Sequence, residues 1–264
     1  TLGGGSASVN SITSITETSN AAQQLIINKN TAATWTLGNV DTKQGNGHAM
    51  SAGTLTLNGT FKFAHAADRR FTVSGGVLNY NNAAAIQTHA ATTSGNGWAL
   101  NGGSLDNTSG AAITTSTTNP RMTWGGNWTF IGTNGVNSDL NLGNGAVFLT
   151  GTRQVSVTNA ATTLTVGGAI SGTGFGITKD GPGTLALGGT NTYTGDTSVS
   201  SGSLILAGSN AAAGLIYVFS TATLGGGGSG GITAMADDAV LSPGTEDGSG
   251  DNFFTLASLT LSET

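Results

Sequence analysis

The chain has 264 residues, with 44 glycines, 3 prolines, no cysteine and a formal net charge of −5. Only 8% of the residues are charged, whereas threonine is almost as frequent as glycine, which excludes an ordinary helical or α/β domain. The absence of cysteine excludes disulfide bonds and thiolate metal sites. Without a basic stripe we expect no nucleic-acid partner, and without an apolar run of roughly 18 residues we expect no membrane insertion by this chain.

A short phrase recurs along the chain, made of a glycine, one intervening residue and an apolar strand residue. Residues 1–120 contain it at Gly53-Thr54-Leu55, Gly76-Val77-Leu78 and Gly103-Ser104-Leu105, separated by long inserts rich in alanine and threonine such as 81–96. This spacing predicts irregular coils with longer loops.

In residues 121–208 the phrases lie closer together, at Gly145-Ala146-Val147, Gly183-Thr184-Leu185 and Gly202-Ser203-Leu204, with weaker copies between them. Repeated Asn-Gly pairs provide turn residues, but they suit an antiparallel sandwich as well as a solenoid. The period of about 20 residues favours a solenoid whose coils each bury one apolar face against the next.

The C-terminal part, residues 209–264, contains the glycine-rich run 225–231, which would be either a linker or a crossing between coils; we favour the crossing and interpret residues 225–228 as flexible backbone. Apolar residues then resume the earlier pattern up to Leu261. We therefore predict one continuous all-β solenoid over residues 1–264, a single-stranded parallel β-helix with coils of about 20 residues.

The clearest repeat lies in residues 168–206, where every second residue is apolar and so falls on one face of a strand. Glycines mark its corners, and Tyr193, Thr197 and Val199 indicate a further strand-forming stretch. The predicted structural residues are Gly183, Leu185, Leu187, Tyr193, Gly195, Val199, Gly202, Leu204 and Leu206.

This stretch resembles the autotransporter-associated β-strand repeat of the passenger regions of large bacterial secreted and surface proteins. The matching residues are Lys179, Gly181, Gly183, Thr184, Leu185, Leu187, Gly189, Asn191, Tyr193, Thr194, Gly195, Thr197, Val199, Gly202, Leu204 and Leu206. The resemblance implies a right-handed parallel β-helix that is extracellular or at the cell surface, and it implies no catalytic residue. The sequence lacks the pattern of a C-terminal membrane barrel, so we expect either a passenger-like part separated from its barrel or a relative that uses the repeat in secreted fibres without a barrel.

Acidic residues cluster near Pro243, and within this cluster Asp247, Ser249 and Asp251 alternate as oxygen ligands would in a calcium loop. The later bidentate glutamate of such loops is missing, so a solvated acidic loop is the alternative. We expect no other cofactor.

Catalysis by a β-helix enzyme that degrades polysaccharides would need carboxylates and basic residues on one face, but Arg69, Arg70, Arg121 and Arg153 are scattered. The three histidines, His48, His65 and His89, lie about one coil apart and would stack into a metal site only if they shared a face; surface positions are the alternative. The four tryptophans, Trp35, Trp98, Trp124 and Trp128, would either form a strip that binds sugars or be buried.

The sequence therefore leads us to expect a non-catalytic, extracellular structural protein whose subunits stack head to tail into a filament. The alternative is a monomeric passenger or adhesin stalk that binds host or matrix glycans. A polysaccharide-degrading enzyme is the third hypothesis.

Overall fold

The computed structural model describes residues 9–16, 27–42, 47–63, 71–88, 97–115, 120–210, 214–244 and 255–261. They form a parallel β-solenoid with about 23 residues per turn. The predicted all-β solenoid is confirmed, although the average coil is longer than the sequence period indicated. The right hand of the winding stays a prediction.

The strands form three parallel sheets. The first sheet contains β2 (Asn28–Lys29), β4 (His48–Met50), β7 (Phe71–Val73), β10 (Trp98–Leu100), β13 (Met122–Trp124), β16 (Val147–Leu149) and β19 (Ile170–Ser171). The second sheet contains β1 (Val9–Thr16), β3 (Thr34–Thr42), β5 (Thr54–Leu57), β6 (Phe61–Phe63), β8 (Val77–Tyr80), β9 (Ile86–Thr88), β11 (Ser104–Asp106), β14 (Trp128–Phe130), β17 (Arg153–Val157), β20 (Ile177–Asp180), β22 (Thr197–Val199), β24 (Ile216–Val218), β26 (Ser229–Met235) and β28 (Thr255–Leu261). The third sheet contains β12 (Ile113–Thr114), β15 (Leu140–Asn141), β18 (Thr163–Val166), β21 (Thr184–Leu187), β23 (Ser203–Leu206), β25 (Thr223–Gly226) and β27 (Val240–Pro243).

Alternation within the strands separates the core from the surface, because successive side chains of a strand point to opposite faces. In the second sheet one inward row is fully buried and consists of Leu55, Leu78, Leu105, Phe130 and Val157. The outward rows are polar. The Asn79 side-chain amide, for example, donates to the Thr56 hydroxyl of the preceding coil over 3.0 Å.

Coil length changes along the solenoid, as hydrogen-bonded partners in adjacent coils show. Asn81 and Thr108, in the longer coils, are 27 residues apart in the sequence. Asp196 and Leu215, in the shorter coils, are only 19 residues apart. In the described part of the chain the first sheet ends at β19, so the shorter coils have lost one strand.

The interpretation of the glycine-rich run as flexible backbone is wrong. Strands β25 and β26 include most of this run, and the chain passes close to its neighbours there. A Cβ atom on Gly225 would lie 2.6 Å from the Ser242 carbonyl oxygen, and one on Gly228 would lie 2.0 Å from the Gly208 carbonyl oxygen. These glycines are needed because no side chain fits between adjacent coils.

Candidate functional site

The repeat in residues 177–206 is held together by two adjacent leucine pairs of the third sheet. Leu185 pairs with Leu204 and Leu187 with Leu206, and all four side chains are buried. The leucine row continues to Leu164 on one side and Leu224 on the other. Full burial of such a side chain contributes about 1.5–3 kcal/mol relative to exposure, so this row is a main source of cohesion between coils.

The corner glycines of this repeat lie where a side chain would collide with the preceding coil. A Cβ on Gly183 would lie 2.4 Å from the Asn159 carbonyl oxygen, and one on Gly195 would lie 2.4 Å from the Phe175 carbonyl carbon. Gly202 has a φ of +64°, in the region that favours glycine. Close packing and backbone conformation therefore both require glycine at the corners.

A small polar cluster lies inside the shorter coils. The Tyr193 and Thr197 hydroxyl oxygens are 2.6 Å apart, and the Asn210 side-chain amide donates to the Thr197 hydroxyl over 3.4 Å. Burial raises the pKa of Tyr193 to about 12. Tyr193 precedes the strand that the sequence indicated, which begins at Thr197, and it fills the interior instead.

Lys179 is the unexpected residue of the repeat, because it points into the core and is fully buried. Its ammonium group donates to the carbonyl oxygens of Asp180 at 3.0 Å, Gly181 at 2.7 Å and Ser201 at 3.0 Å. Burial lowers the pKa of Lys179 to about 8, and the negative charge of Asp180 opposes this shift. The inward position of residue 179 in an alternating strand was the signal that could have revealed this arrangement.

Lys29 has the same arrangement near the N-terminal end of the described chain. It is buried, and its ammonium group donates to the carbonyl oxygen of Thr31 and, over 3.0 Å, to that of Ala52 in the next coil. Burial lowers its pKa as well. Both buried lysines thus link the corner of their own coil to the corner of the following one.

The proposed calcium ligands Asp247, Ser249 and Asp251 lie outside the described residues, so this site stays a prediction. Within the described ranges, no group of three or more histidine, aspartate or glutamate side chains is placed to hold a metal ion. The buried Asp106 carboxylate accepts hydrogen bonds from the backbone amides of Asn107, Gly132 and Thr133 at 2.9, 3.1 and 3.1 Å. Asp106 therefore stabilises, through these hydrogen bonds, the corner of its own coil and that of the following coil.

Two arginines make contacts within the solenoid wall. Arg153 donates from Nε to the Trp124 carbonyl oxygen over 3.2 Å and from Nη2 to the Thr150 hydroxyl over 3.0 Å. The Arg121 guanidinium lies 4.2 Å from the centre of the Phe148 ring. Arg69 and Arg70 lie outside the described residues.

The surface position considered for His48 is wrong, because this side chain is buried. Its Nδ1 accepts a hydrogen bond from the Ile27 backbone amide over 3.1 Å, and its Nε2 lies 3.2 Å from the Thr42 hydroxyl. His65 and His89 lie outside the described residues.

A tryptophan strip for sugars is also wrong. Trp98, Trp124 and Trp128 are buried, and Trp35 is half-buried against the core. The rings of Trp124 and Trp128 pack edge to face with their centres 5.3 Å apart.

The fold defines a repeat protein built from stacked parallel coils, and comparison with known proteins identifies the repeat. Residues 177–206 match the family model of the passenger-associated-transport-repeat, which confirms the resemblance to passenger regions. Among the described residues, no helix is long and apolar enough to span a bilayer.

Two curated proteins share longer stretches with the chain. Over 49 residues, the chain is 57% identical to the adhesin BmaC autotransporter of Brucella suis biovar 1 (strain 1330). This alignment covers 19% of the present chain and 1% of the adhesin. Over 75 residues, the chain is 47% identical to an extracellular serine protease of Serratia marcescens. This alignment covers 28% of the present chain and 7% of the protease. The matches thus span a small fraction of these relatives. No solved structure matches the chain.

Proposed function

We propose that the chain is a non-catalytic structural segment of a secreted or cell-surface protein. The passenger-type repeat and the similarity to an autotransporter adhesin support this location. The polar and charged side chains discussed above support a structural role, since Lys29, Lys179, Asp106 and Arg153 all bind corners or walls of the solenoid.

More specifically, we propose that copies of the chain stack head to tail into a filament. The supporting observation is an inward row of apolar residues in the second sheet. Val218 and Met235 are 2% and 5% exposed, but the next residue of this row, Leu261 in β28, is 70% exposed. Its neighbour Leu259 is 44% exposed. This apolar row therefore reaches the end of the described solenoid uncovered.

The opposite end offers a complementary edge. Within the described residues, β1 pairs with β3 alone and β28 pairs with β26 alone, and all four strands belong to the second sheet. Ile12 and Ile15 of β1 are partly buried and continue the rows of Leu37 and Val40. Parallel pairing of β28 with β1 of the next copy would extend the sheet and cover the leucines. Such a head-to-tail contact does not close, so it generates a filament.

Electron microscopy and sedimentation of the purified chain test this proposal. We expect filaments whose formation depends on protein concentration, and we expect Leu261→Asp to abolish them, because it places a charge in the contact. Val136→Asp is the matched control, since Val136 is 61% exposed in the 3₁₀ turn Gly135–Ser138, away from both edges. Dispersed monomers at all concentrations, or equal loss of filaments in both variants, would contradict the stacking.

The alternative is a monomeric adhesin stalk that binds host or matrix glycans, and the similarity to an adhesin favours it. Monomers that bind a glycan array would support this alternative over the filament. Hydrolysis of casein or of acidic polysaccharides by the purified chain would overturn the non-catalytic role common to both forms.

A further inference from the structure

Lys179 interrupts an otherwise apolar inward row of the second sheet. Its partner in the preceding coil is Val155 and its partner in the following coil is Val199, both buried. On the inside of the wall, its ammonium group reaches the carbonyl oxygen of Ser201 in the next coil. A buried charge at such a position needs several hydrogen bonds, and the corner carbonyls supply them.

Asp180 makes a matching set of contacts on the outside of the same wall. One carboxylate oxygen accepts from the Gln154 side-chain amide at 3.0 Å and from the Ser156 hydroxyl at 3.3 Å, both in the preceding coil. The other accepts from the Ser201 hydroxyl at 3.0 Å, in the following coil. A hydrogen bond from the Gly181 backbone amide, followed by those from the Ser201 and Ser156 hydroxyls and by the positive charge of Lys179, lowers the pKa of Asp180, so its carboxylate is charged at neutral pH.

Ser201 is therefore held on both sides of the wall, through its carbonyl oxygen by Lys179 and through its hydroxyl by Asp180. Together the two residues link three consecutive coils. We call Lys179, Asp180 and Ser201 the junction clamp.

The junction clamp lies where the solenoid changes size. Ser156 and Asp180, which face each other across the contact with the preceding coil, are 24 residues apart. Gly174 and Thr194, across the contact with the following coil, are 20 residues apart. In the described chain, β19 is the last strand of the first sheet, and it belongs to the coil that contains Lys179 and Asp180. The following coil forms no strand there, although the backbone amides of Thr192 and Tyr193 still donate to the Ile170 carbonyl oxygen at 2.8 and 3.2 Å. The clamp is therefore found where a regular strand of the first sheet gives way to an irregular segment.

We propose that the junction clamp couples the folding of the coils before it to that of the coils after it. In a solenoid, the free energy of unfolding is roughly the sum of the stabilities of the single coils and of the contacts between neighbouring coils. A weak contact therefore divides the chain into parts that unfold separately. The clamp adds side-chain hydrogen bonds to the contact at which the first sheet ends. The inference rests on the fold and is independent of filament formation.

The distribution of tryptophan makes this coupling measurable. All four tryptophans, Trp35, Trp98, Trp124 and Trp128, precede the clamp in the sequence. Tryptophan fluorescence therefore reports on the coils before the clamp, while far-ultraviolet circular dichroism reports on strands throughout the chain. In urea, the wild-type transitions measured by the two methods should coincide.

In Lys179→Met, we expect the two transitions to separate, with the circular dichroism midpoint on the order of 1 M urea below the fluorescence midpoint. Asp180→Asn and Ser201→Ala should separate them less, because each removes only the outer half of the clamp; they also serve if Lys179→Met does not fold. Lys29→Met is the matched control, since it removes a similar buried ammonium in a coil far from the junction clamp. It should leave the two transitions coincident.

Coincident transitions in Lys179→Met or, if that variant does not fold, in both milder variants would overturn the proposal. Separate transitions in the wild-type chain would also overturn it, because the coils would then not be coupled. Equal separation in Lys29→Met would show a general effect of removing a buried lysine, and this too would refute a special role for the junction.

Discussion

At the scale of single residues, the buried lysines show that the interior of this solenoid is not purely apolar. An ammonium group loses its hydration when it is buried, and three carbonyl hydrogen bonds offset that loss only in part. The lowered pKa of Lys179 reflects the remaining cost. We infer that Lys179 stabilises the contact between coils while its own burial lowers the net gain.

Burial of the Lys179 ammonium group makes the free energy of unfolding depend on pH. The pKa of Lys179 falls from 10.5 to about 8 in the folded protein. Between these values the unfolded chain binds more protons than the folded chain, so the free energy of unfolding should rise as the pH is raised from 7 towards 9.5. Urea denaturation followed by circular dichroism measures this rise, and it should be smaller in Lys179→Met.

The upper limit of that pH range is set by tyrosine. Burial raises the pKa of Tyr193 to about 12, so the folded chain holds this proton more tightly than the unfolded chain does. Its contribution to stability is present below pH 10 and is lost as the pH rises towards 12.

An identical pH dependence of the wild type and Lys179→Met below pH 9.5 would contradict the role given to Lys179.

At the scale of strands, neighbouring residues of β23 should differ sharply in their contribution to stability. Leu204 points inward and is fully buried, whereas Ile205 points outward and is half-buried. Leu204→Ala should lower the free energy of unfolding by about 2–5 kcal/mol, because it leaves a cavity in the leucine row. Ile205→Ala, the control, should lower it by less than about 1.5 kcal/mol, and equal losses would show that the inward face is wrongly assigned.

The sequence predicted the alternating strands well, because leucines such as Leu185 and Leu204 mark the inward face directly. It did not predict the positions of Lys179 and His48, since a polar residue type suggests the surface and only the coil geometry supplies its buried partners. It also could not separate flexible from tightly packed glycine at Gly225 and Gly228. That distinction depends on the distance to the next coil, which local sequence does not encode.

At the scale of the whole molecule, the sequence predicted a parallel solenoid but underestimated the length of its coils. The predicted period came from the most regular stretch, and the structure agrees with it there, since Gly174 and Thr194 in adjacent coils are 20 residues apart. Several earlier coils are longer; Leu78 and Leu105, which pair in adjacent coils, are 27 residues apart.

The axial length of the subunit gives a final test of stacking. The second sheet stacks twelve levels of strands from β1 to β28, because β6 and β9 lie in the same coils as β5 and β8, and a spacing of about 4.8 Å gives an axial length of about 58 Å. If filaments form by pairing of β28 with β1, aligned samples should diffract at about 4.8 Å along the filament axis, with an axial repeat of about 58 Å in image reconstructions. This is expected because head-to-tail pairing keeps the strands perpendicular to the axis. A spacing of about 4.8 Å perpendicular to the axis would instead indicate side-by-side association and would refute the proposed contact.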